Sequence, residues 1–389
     1  MKKETRLTHQ RKVSLPDGNE AIVPPIYRSV KFTYPSIEAS LNPEVRHTGF
    51  EYTRDANPTT RQLELLSAEL QGRADGVCVA SGMAAVWLSL LGNLKAGERL
   101  TFFVQSYRPI RTLVRNVLPR FGINYSMLDV HQHDDLERVF AQEDTKLLIF
   151  EAPTNPMLQV PDIEGIVSLA KQHGVTTVLD NTFGGLHNHG QFEIDYYVHS
   201  LTKYASGHGD VMGGVVIADE GRIKAIHELA TSIGSTMDPG AAYLILRGLR
   251  TYHLRHARHS SSALAVAEYL AASPLVEKVF YPGLKSDSEH ELATKQMDGC
   301  GAVLAFNLKA DKTHTWAFID ALKLFATASS IGSAESLVAP VKLYFASDLD
   351  EQELKQAGIK DSTVRLSIGL EHPDDLIGDL EEAFTKVFS

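Results

Sequence analysis

Lys203 adjoins Thr202 and follows Ser200 in the run His199-Ser200-Leu201-Thr202-Lys203-Tyr204, which leads into Gly207-His208-Gly209-Asp210 and Gly213-Gly214. A lysine amine can form an imine with an aldehyde, and hydroxyls beside it can grip a phosphate. The same pattern also occurs on solvated strand edges, so the chemistry depends on what else the chain supplies. Ser81-Gly82-Met83 stands where an apolar run turns into a helix, a place where free N–H groups and the helix dipole face an anion. Tyr52-Thr53-Arg54 offers a phenol and a guanidinium, whose planar fork suits phosphate. Asp180 closes the apolar run Val178-Leu179; an acid there caps a turn or keeps a ring nitrogen protonated. Asn155, in Glu151-Ala152-Pro153-Thr154-Asn155-Pro156, can donate to a phenolic oxygen, and Tyr107 can stack on a flat aromatic group. Arg365, between apolar neighbours in Thr363-Val364-Arg365-Leu366-Ser367, demands an anion, either a protein carboxylate or that of a substrate.

Most of these residues follow a short apolar strand. Val77 to Ala80, Leu100 to Val104, Leu147 to Phe150, Val175 to Leu179 and Tyr196 to Val198 read as strands. Helical spacing separates them: Asn57 caps a helix that Pro58 opens and Gly72 closes, Ala84 to Leu91 is a buried helix, and Ile163, Ile166, Val167 and Ala170 share one face. Such alternation predicts an α/β domain whose mostly parallel sheet is covered by helices, with ligands at the carboxyl ends of the strands. Around Gly240 to His259 one long helical stretch links to a smaller α+β C-terminal domain. In that domain Leu264 to Ala271 and Thr315 to Leu322 are helical, Ala302 to Leu308 alternates like a half-buried strand, and Ile377, Leu380, Phe384 and Val387 line a last helix. The expected division is an extended N-terminal arm at 1–57, an α/β domain at 58–250 and a C-terminal domain at 251–389. Pro24-Pro25, Pro35 and Pro43 interrupt the arm, and its aromatic residues Tyr27, Phe32, Tyr34, Phe50 and Tyr52 predict that it packs on something.

The 389 residues carry a net charge of −10, which opposes nonspecific binding to nucleic acid or an anionic membrane. Cys78 and Cys300 lack the spacing of a metal or redox pair, which favours a reducing, cytoplasmic setting. Neither a signal peptide nor a membrane span is expected, and no metal site.

Together the segments Tyr52 to Thr59, Ala80 to Ala84, Glu151 to Pro156, Asp180 to Phe183, Ser200 to His208, Gly332 to Leu337 and Val364 to Leu370 resemble the pyridoxal-phosphate-dependent Cys/Met metabolism family. These are the transsulfuration enzymes related to cystathionine γ-synthase, γ-lyase and β-lyase. The resemblance implies fold type I and pyridoxal 5'-phosphate as cofactor. It implies Lys203 as the lysine that carries the cofactor, Asp180 as partner of the pyridine nitrogen, and Gly82, Met83, Ser200 and Thr202 around the phosphate, with Thr182 also at the cofactor. Tyr107 would stack on the ring, Asn155 would meet its phenolic oxygen, and Arg365 with the backbone near Ser330 would bind the substrate carboxylate. Tyr52 and Arg54 would complete the phosphate site of a neighbouring subunit in a homotetramer, with Lys203, Tyr107 and Tyr52 as the catalytic set.

The expected reaction is carbon–sulfur bond cleavage in cystathionine or a related sulfur amino acid, by elimination through a carbanion. The alternative is γ-replacement on an O-acyl homoserine, by a cystathionine γ-synthase or sulfhydrylase; an aminotransferase or an inactive cofactor-binding relative ranks lower. Tyr107-Arg108-Pro109 looks like cystathionine β-lyase, whereas Tyr52 to Thr59 looks like the γ-synthase and γ-lyase branch. Ser329 stands where γ-lyases resemble one another in having glutamate. Arg108 and Lys342 are expected to add positive charge near the substrate tail.

Overall fold

A computed structural model describes residues 2, 5–6, 15–42, 49–142 and 145–389. Pro43 and most of the charged segment from Met1 to Lys12 lie outside the described residues. Helix α1 (Pro58–Gln71) starts as its sequence dictates: the Asn57 side chain accepts the Thr59 N–H at 2.9 Å, Pro58 occupies the first turn, and Gly72 ends the helix at φ 70°. Strands β1 (Asp75–Val79), β2 (Arg99–Phe103), β3 (Asn124–Leu128), β4 (Thr145–Glu151), β5 (Thr176–Asp180), β6 (Tyr196–Ser200) and β7 (Gly214–Ala218) form one sheet in the order β1-β7-β6-β5-β4-β2-β3. The pairs from β6 to β3 are parallel, and only β7 runs against its neighbours.

Period-two alternation explains how this sheet buries both faces. Leu100, Phe102, Leu147, Ile149, Val178 and Val198 enter one core with helix α2 (Gly82–Leu91), whereas Phe103, Leu148, Phe150, Leu179 and Tyr197 enter the other with helix α3 (Ile163–His173). The second core continues without a break into the C-terminal part. There β8 (Val276–Phe280), β9 (Val303–Leu308), β10 (Ala326–Thr327), β11 (Leu337–Pro340) and β12 (Thr363–Ser367) make a sheet ordered β10-β11-β12-β9-β8. Phe318 and Phe384, from the helices Lys312–Ala321 and Pro373–Phe388, stack at 4.6 Å against this sheet, with Phe306 of β9 on the edge of Phe318.

Two expectations need correction. The helical stretch around Gly240 to His259 is two helices, α4 (Pro239–Leu249) and α5 (Tyr252–Ala272), and α5 also contains Leu264 to Ala271. The break is fixed by Arg255, which donates to the Gly248 carbonyl at 2.8 Å and to Thr251 at 3.1 Å, supplying a partner at the end of α4. Strand β9 is buried on every residue rather than half-buried, because Leu304 and Phe306 face the large core and Ala305 faces a third cluster around Val341 and Phe345.

The arm is held at its base: the backbone of Lys31 bridges that of Tyr52, and Asn57 donates to the Tyr27 carbonyl at 2.7 Å. Outward it exposes large apolar side chains, Ile22 at 91% and Ile37 at 81%, with Val23, Ile26, Val30 and Leu41 beside them.

Candidate active site

A cavity of about 630 Å³ opens at the carboxyl ends of β1, β2, β4, β5 and β6, where the second sheet leans over the first. Ser81, Gly82, Met83, Tyr107, Asn155, Asp180, Thr182, Ser200, Thr202, Lys203, Ser330 and Arg365 all line it. The strands of the first sheet bring most of these residues together because Asp180 and Ser200 end strands and Ser81, Asn155, Thr182, Thr202 and Lys203 follow them closely, whereas Arg365 comes from the middle of β12 in the second sheet and Ser330 from the segment between β10 and β11.

One end is built for an anion. Ser81 caps α2 by accepting the Ala84 N–H at 3.2 Å, and Gly82 and Met83 are the first residues of that helix, whose opening N–H groups have no intrahelical carbonyl to serve. Gly82 is required there: a Cβ would stand 2.7 Å from the Ser200 Cβ. The Thr202 hydroxyl lines the same end but is already engaged, accepting the Gly213 N–H at 3.0 Å.

The other end carries the carboxyl of Asp180. Asp180 Oδ1 accepts the Thr182 hydroxyl at 2.6 Å and the Thr182 N–H at 3.1 Å, so the residue does cap its turn. Among the described residues Oδ2 has no hydrogen-bond partner, and burial raises the Asp180 pKa against the lowering effect of Thr182. A half-buried carboxylate with one committed oxygen and, among the described residues, no ion-pair partner fits a ligand that brings the positive charge.

Lys203 and Arg365 occupy the space between. Lys203 Nζ donates to the Ser330 hydroxyl at 2.9 Å, and its pKa falls to about 8 through burial first and the nearby Arg365 charge second. Arg365 donates to Asn155 Oδ1 at 2.8 Å and to the Ser330 carbonyl at 3.1 Å, and its guanidinium lies 3.7 Å from the centre of the Phe345 ring. Burial brings its pKa down to about 9. Its partners among the described residues are neutral, so neither of its hydrogen-bond partners is a carboxylate of the chain.

Glu151 carries a role that its sequence context did not reveal. It ends β4 fully within the protein, accepts the Tyr107 N–H, and accepts the Asn155 N–H at 3.0 Å, so one carboxyl fixes two cavity residues. Burial and the neighbouring Asp180 push its pKa well up. Its signal in the chain is an acid closing an apolar strand immediately before a proline-rich turn. Tyr107 itself has a raised pKa through burial and the nearby Asp180 and Glu151, so its phenol keeps its proton.

Three candidate residues stand elsewhere. Tyr52 and Arg54 lie outside the cavity lining, stacked on each other at 5.2 Å, with the Arg54 side chain 54% exposed. Lys342 lies outside the cavity lining too and forms an ion pair with Asp361 at 2.9 Å. Arg108 and Ser329 do reach the cavity, beside Met212, Leu343 and Tyr344. Among the described residues no cluster of His, Cys, Asp and Glu could hold a metal ion, and no helix is long and apolar enough to cross a membrane.

Residues 4–385 match the family described as Cys/Met metabolism PLP-dependent enzyme. The chain is 36% identical over 374 residues to an L-methionine gamma-lyase of Pseudomonas putida, covering 94% of this chain and 93% of that protein. It is 37% identical over 340 residues to a cystathionine beta-lyase of Lactococcus lactis, covering 87% and 89%. The solved structure of cystathionine gamma synthase from Xanthomonas oryzae in complex with aminoacrylate and cysteine superposes with a TM-score of 0.90 at 34% identity, covering 96% of this chain and 95% of that one.

Proposed function

We propose that this chain, which belongs to the Cys/Met metabolism PLP-dependent enzymes, cleaves a carbon–sulfur bond of cystathionine or a related sulfur amino acid. The cofactor of the family is pyridoxal 5'-phosphate, and the cavity fits it. The turn at Gly82 and Met83 with Ser200 and Thr202 would hold the phosphate, Asp180 supported by Thr182 the pyridine nitrogen, Tyr107 the ring face, Asn155 the phenolic oxygen, and Lys203 the aldehyde carbon. When bound, the group supplies an electron sink that acidifies the substrate Cα–H.

The chain's own residues do the rest. Arg365 receives the substrate carboxylate through a planar fork already oriented by Asn155 and the Ser330 carbonyl. Lys203 Nζ, with its pKa brought near neutrality, takes the Cα proton, and the Ser330 hydroxyl holds the amine in place. The phenol of Tyr107 remains protonated at the pH where Lys203 is becoming free base, so it can donate while the amine accepts. Loss of the sulfur group from Cβ releases a thiol, which takes up a proton, and leaves an enamine that water hydrolyses to a keto acid and ammonia. If Lys203 also moves a Cβ proton, the group on Cγ departs instead, which leads to γ-elimination or γ-replacement.

The observation that carries this reading is the buried Arg365, which has no anionic partner among the described residues, within one cavity of a lysine amine depressed to about 8. Proteins similar to the chain divide among γ-lyase, β-lyase and γ-synthase. Incubating the enzyme separately with cystathionine, cysteine, methionine, and an O-acyl homoserine plus cysteine, then identifying products, separates these reactions. Pyruvate with homocysteine is expected for β-cleavage of cystathionine; cystathionine formed from the acyl homoserine establishes replacement instead.

We also infer a homo-oligomer whose sites are shared. Tyr52 and Arg54 are exposed on the arm rather than turned into the cavity of their own chain, and the apolar arm residues around Ile22 and Ile37 need a surface to cover. The folding units we propose are the arm to residue 57, the cofactor-binding domain from 58 to 250, and the C-terminal domain from 251.

A further inference from the structure

Arg111 is the largest wholly buried side chain of the molecule among the described residues, yet it touches neither the cavity nor solvent. An arginine has five N–H donors, and burying one is tolerable only when all are met. Here they are. Nε donates to Asp348 Oδ2 at 2.9 Å, and Nη2 donates to Asp348 Oδ1 and to the Phe345 carbonyl, each at 2.7 Å. Nη1 donates to the Val104 carbonyl at 3.3 Å and to the Ser106 carbonyl.

These acceptors come from two separate structures. Val104 and Ser106 follow β2 and lead to Tyr107 in the cavity. Phe345 and Asp348 follow β11 of the second sheet, and the Phe345 ring is the surface on which Arg365 lies. On the same helical segment, Arg108 donates to the Tyr344 carbonyl and to Ser347, and Arg115 pairs with Glu353 at 3.2 Å. Three arginines at one-turn intervals therefore grip the stretch from 344 to 353, with the buried one at the centre.

We propose that Arg111 is a positioning residue for the substrate carboxylate: by fixing the backbone of Phe345 against that of Ser106, it sets the plane of Arg365 relative to Tyr107. This rests on the reading of Arg365 as the carboxylate site. An anion bound by a planar fork depends on the angle of that fork, and the Arg365 guanidinium is oriented from one side by Asn155 and the Ser330 carbonyl and from the other by the Phe345 ring.

The test compares holoenzymes carrying Arg111→Lys, Asp348→Asn, Phe345→Leu and Arg365→Lys. Besides steady-state kinetics, calorimetry measures the Kd of 3-(methylthio)propionate, a carboxylate without the amino group needed for reaction. Arg111→Lys is expected to raise KM and this Kd together by about 10-fold while kcat changes by less than about threefold, and Asp348→Asn to do the same by about threefold. In a Phe345→Leu background most of the Arg111→Lys effect should vanish, because both changes act through one contact. If Arg111→Lys does not accumulate folded, Asp348→Asn alone and with Phe345→Leu carries the comparison. Variants that lower the urea midpoint but leave KM and Kd unchanged, in an enzyme where Arg365→Lys does weaken both, overturn the inference and leave the site reading standing. No effect of Arg365→Lys itself overturns the site reading and the inference with it.

Discussion

The cavity and the N-terminal arm make opposite use of the same kinds of residue. In the cavity a buried arginine and a half-buried tyrosine and lysine are held by named partners and shifted in pKa; on the arm Tyr52 and Arg54 meet mainly each other and solvent. The first set is organised by the ends of strands whose packing one chain completes. The second has its base pinned by Lys31 and Asn57 but lies outside the cavity lining, and the apolar side chains beyond it are exposed as well. A site assembled inside one chain should fail in ways independent of protein concentration, whereas a contribution from the arm should depend on a second copy.

Changes on the cavity side should therefore be severe. Lys203→Ala is expected to lower turnover by about 1,000-fold or more and to remove the visible absorbance of bound cofactor; retention of both would break the comparison at its strongest point. Asp180→Asn withdraws the charge that, on the proposed reading, would hold a ring nitrogen protonated. Because one pKa unit corresponds to about 1.4 kcal/mol, loss of two to three units of support predicts a fall in kcat/KM of about 100- to 1,000-fold, with the phosphate end still binding. Arg365→Lys keeps the charge and loses the fork, so KM for amino-acid substrates should rise about 30-fold with a smaller change in kcat.

On the arm side, Tyr52→Phe combined with Arg54→Met should weaken cofactor retention about 10-fold, measured by equilibrium dialysis, and only in the assembled protein. Mixing this variant with Lys203→Ala sharpens the point: shared sites predict recovery of part of the activity in hybrids, and separate sites predict none. The smallest effect concerns pH. The folded chain depresses Lys203 from its ordinary value to about 8, so the free amine dominates above that pH and is lost below it. Uptake of added pyridoxal phosphate by cofactor-free protein should speed up about fivefold between pH 7 and pH 8 and level off above, followed by absorbance.

Much of the cavity floor could be read in the chain because local chemistry marks it. Asn57 and Pro58 open α1, Gly72 closes it, and the Ser81-Gly82-Met83 turn and Asp180 each follow an apolar run that becomes a strand. What local pattern could not give is contact between distant segments. Arg255 breaks the helical stretch at Leu249 by reaching back to the Gly248 carbonyl. Lys342 sits in an ion pair with Asp361 rather than in the cavity lining. Glu151 was visible only as part of a proline-rich motif, since its work, holding Tyr107 and Asn155, requires β2 and β4 to be neighbours. Strand β7 was missed because Gly214 to Ala218 follows directly on the glycine-rich turn, and its antiparallel place between β1 and β6 has no local mark.

The central claim is that Lys203 carries the cofactor between the Gly82 turn and Asp180. Reduction of the freshly purified enzyme with borohydride, followed by proteolysis and mass mapping, tests it directly. The account predicts a phosphopyridoxyl group on the peptide containing Lys203 and its disappearance in Lys203→Ala; the group on another lysine, or on none after incubation with pyridoxal phosphate, would contradict it.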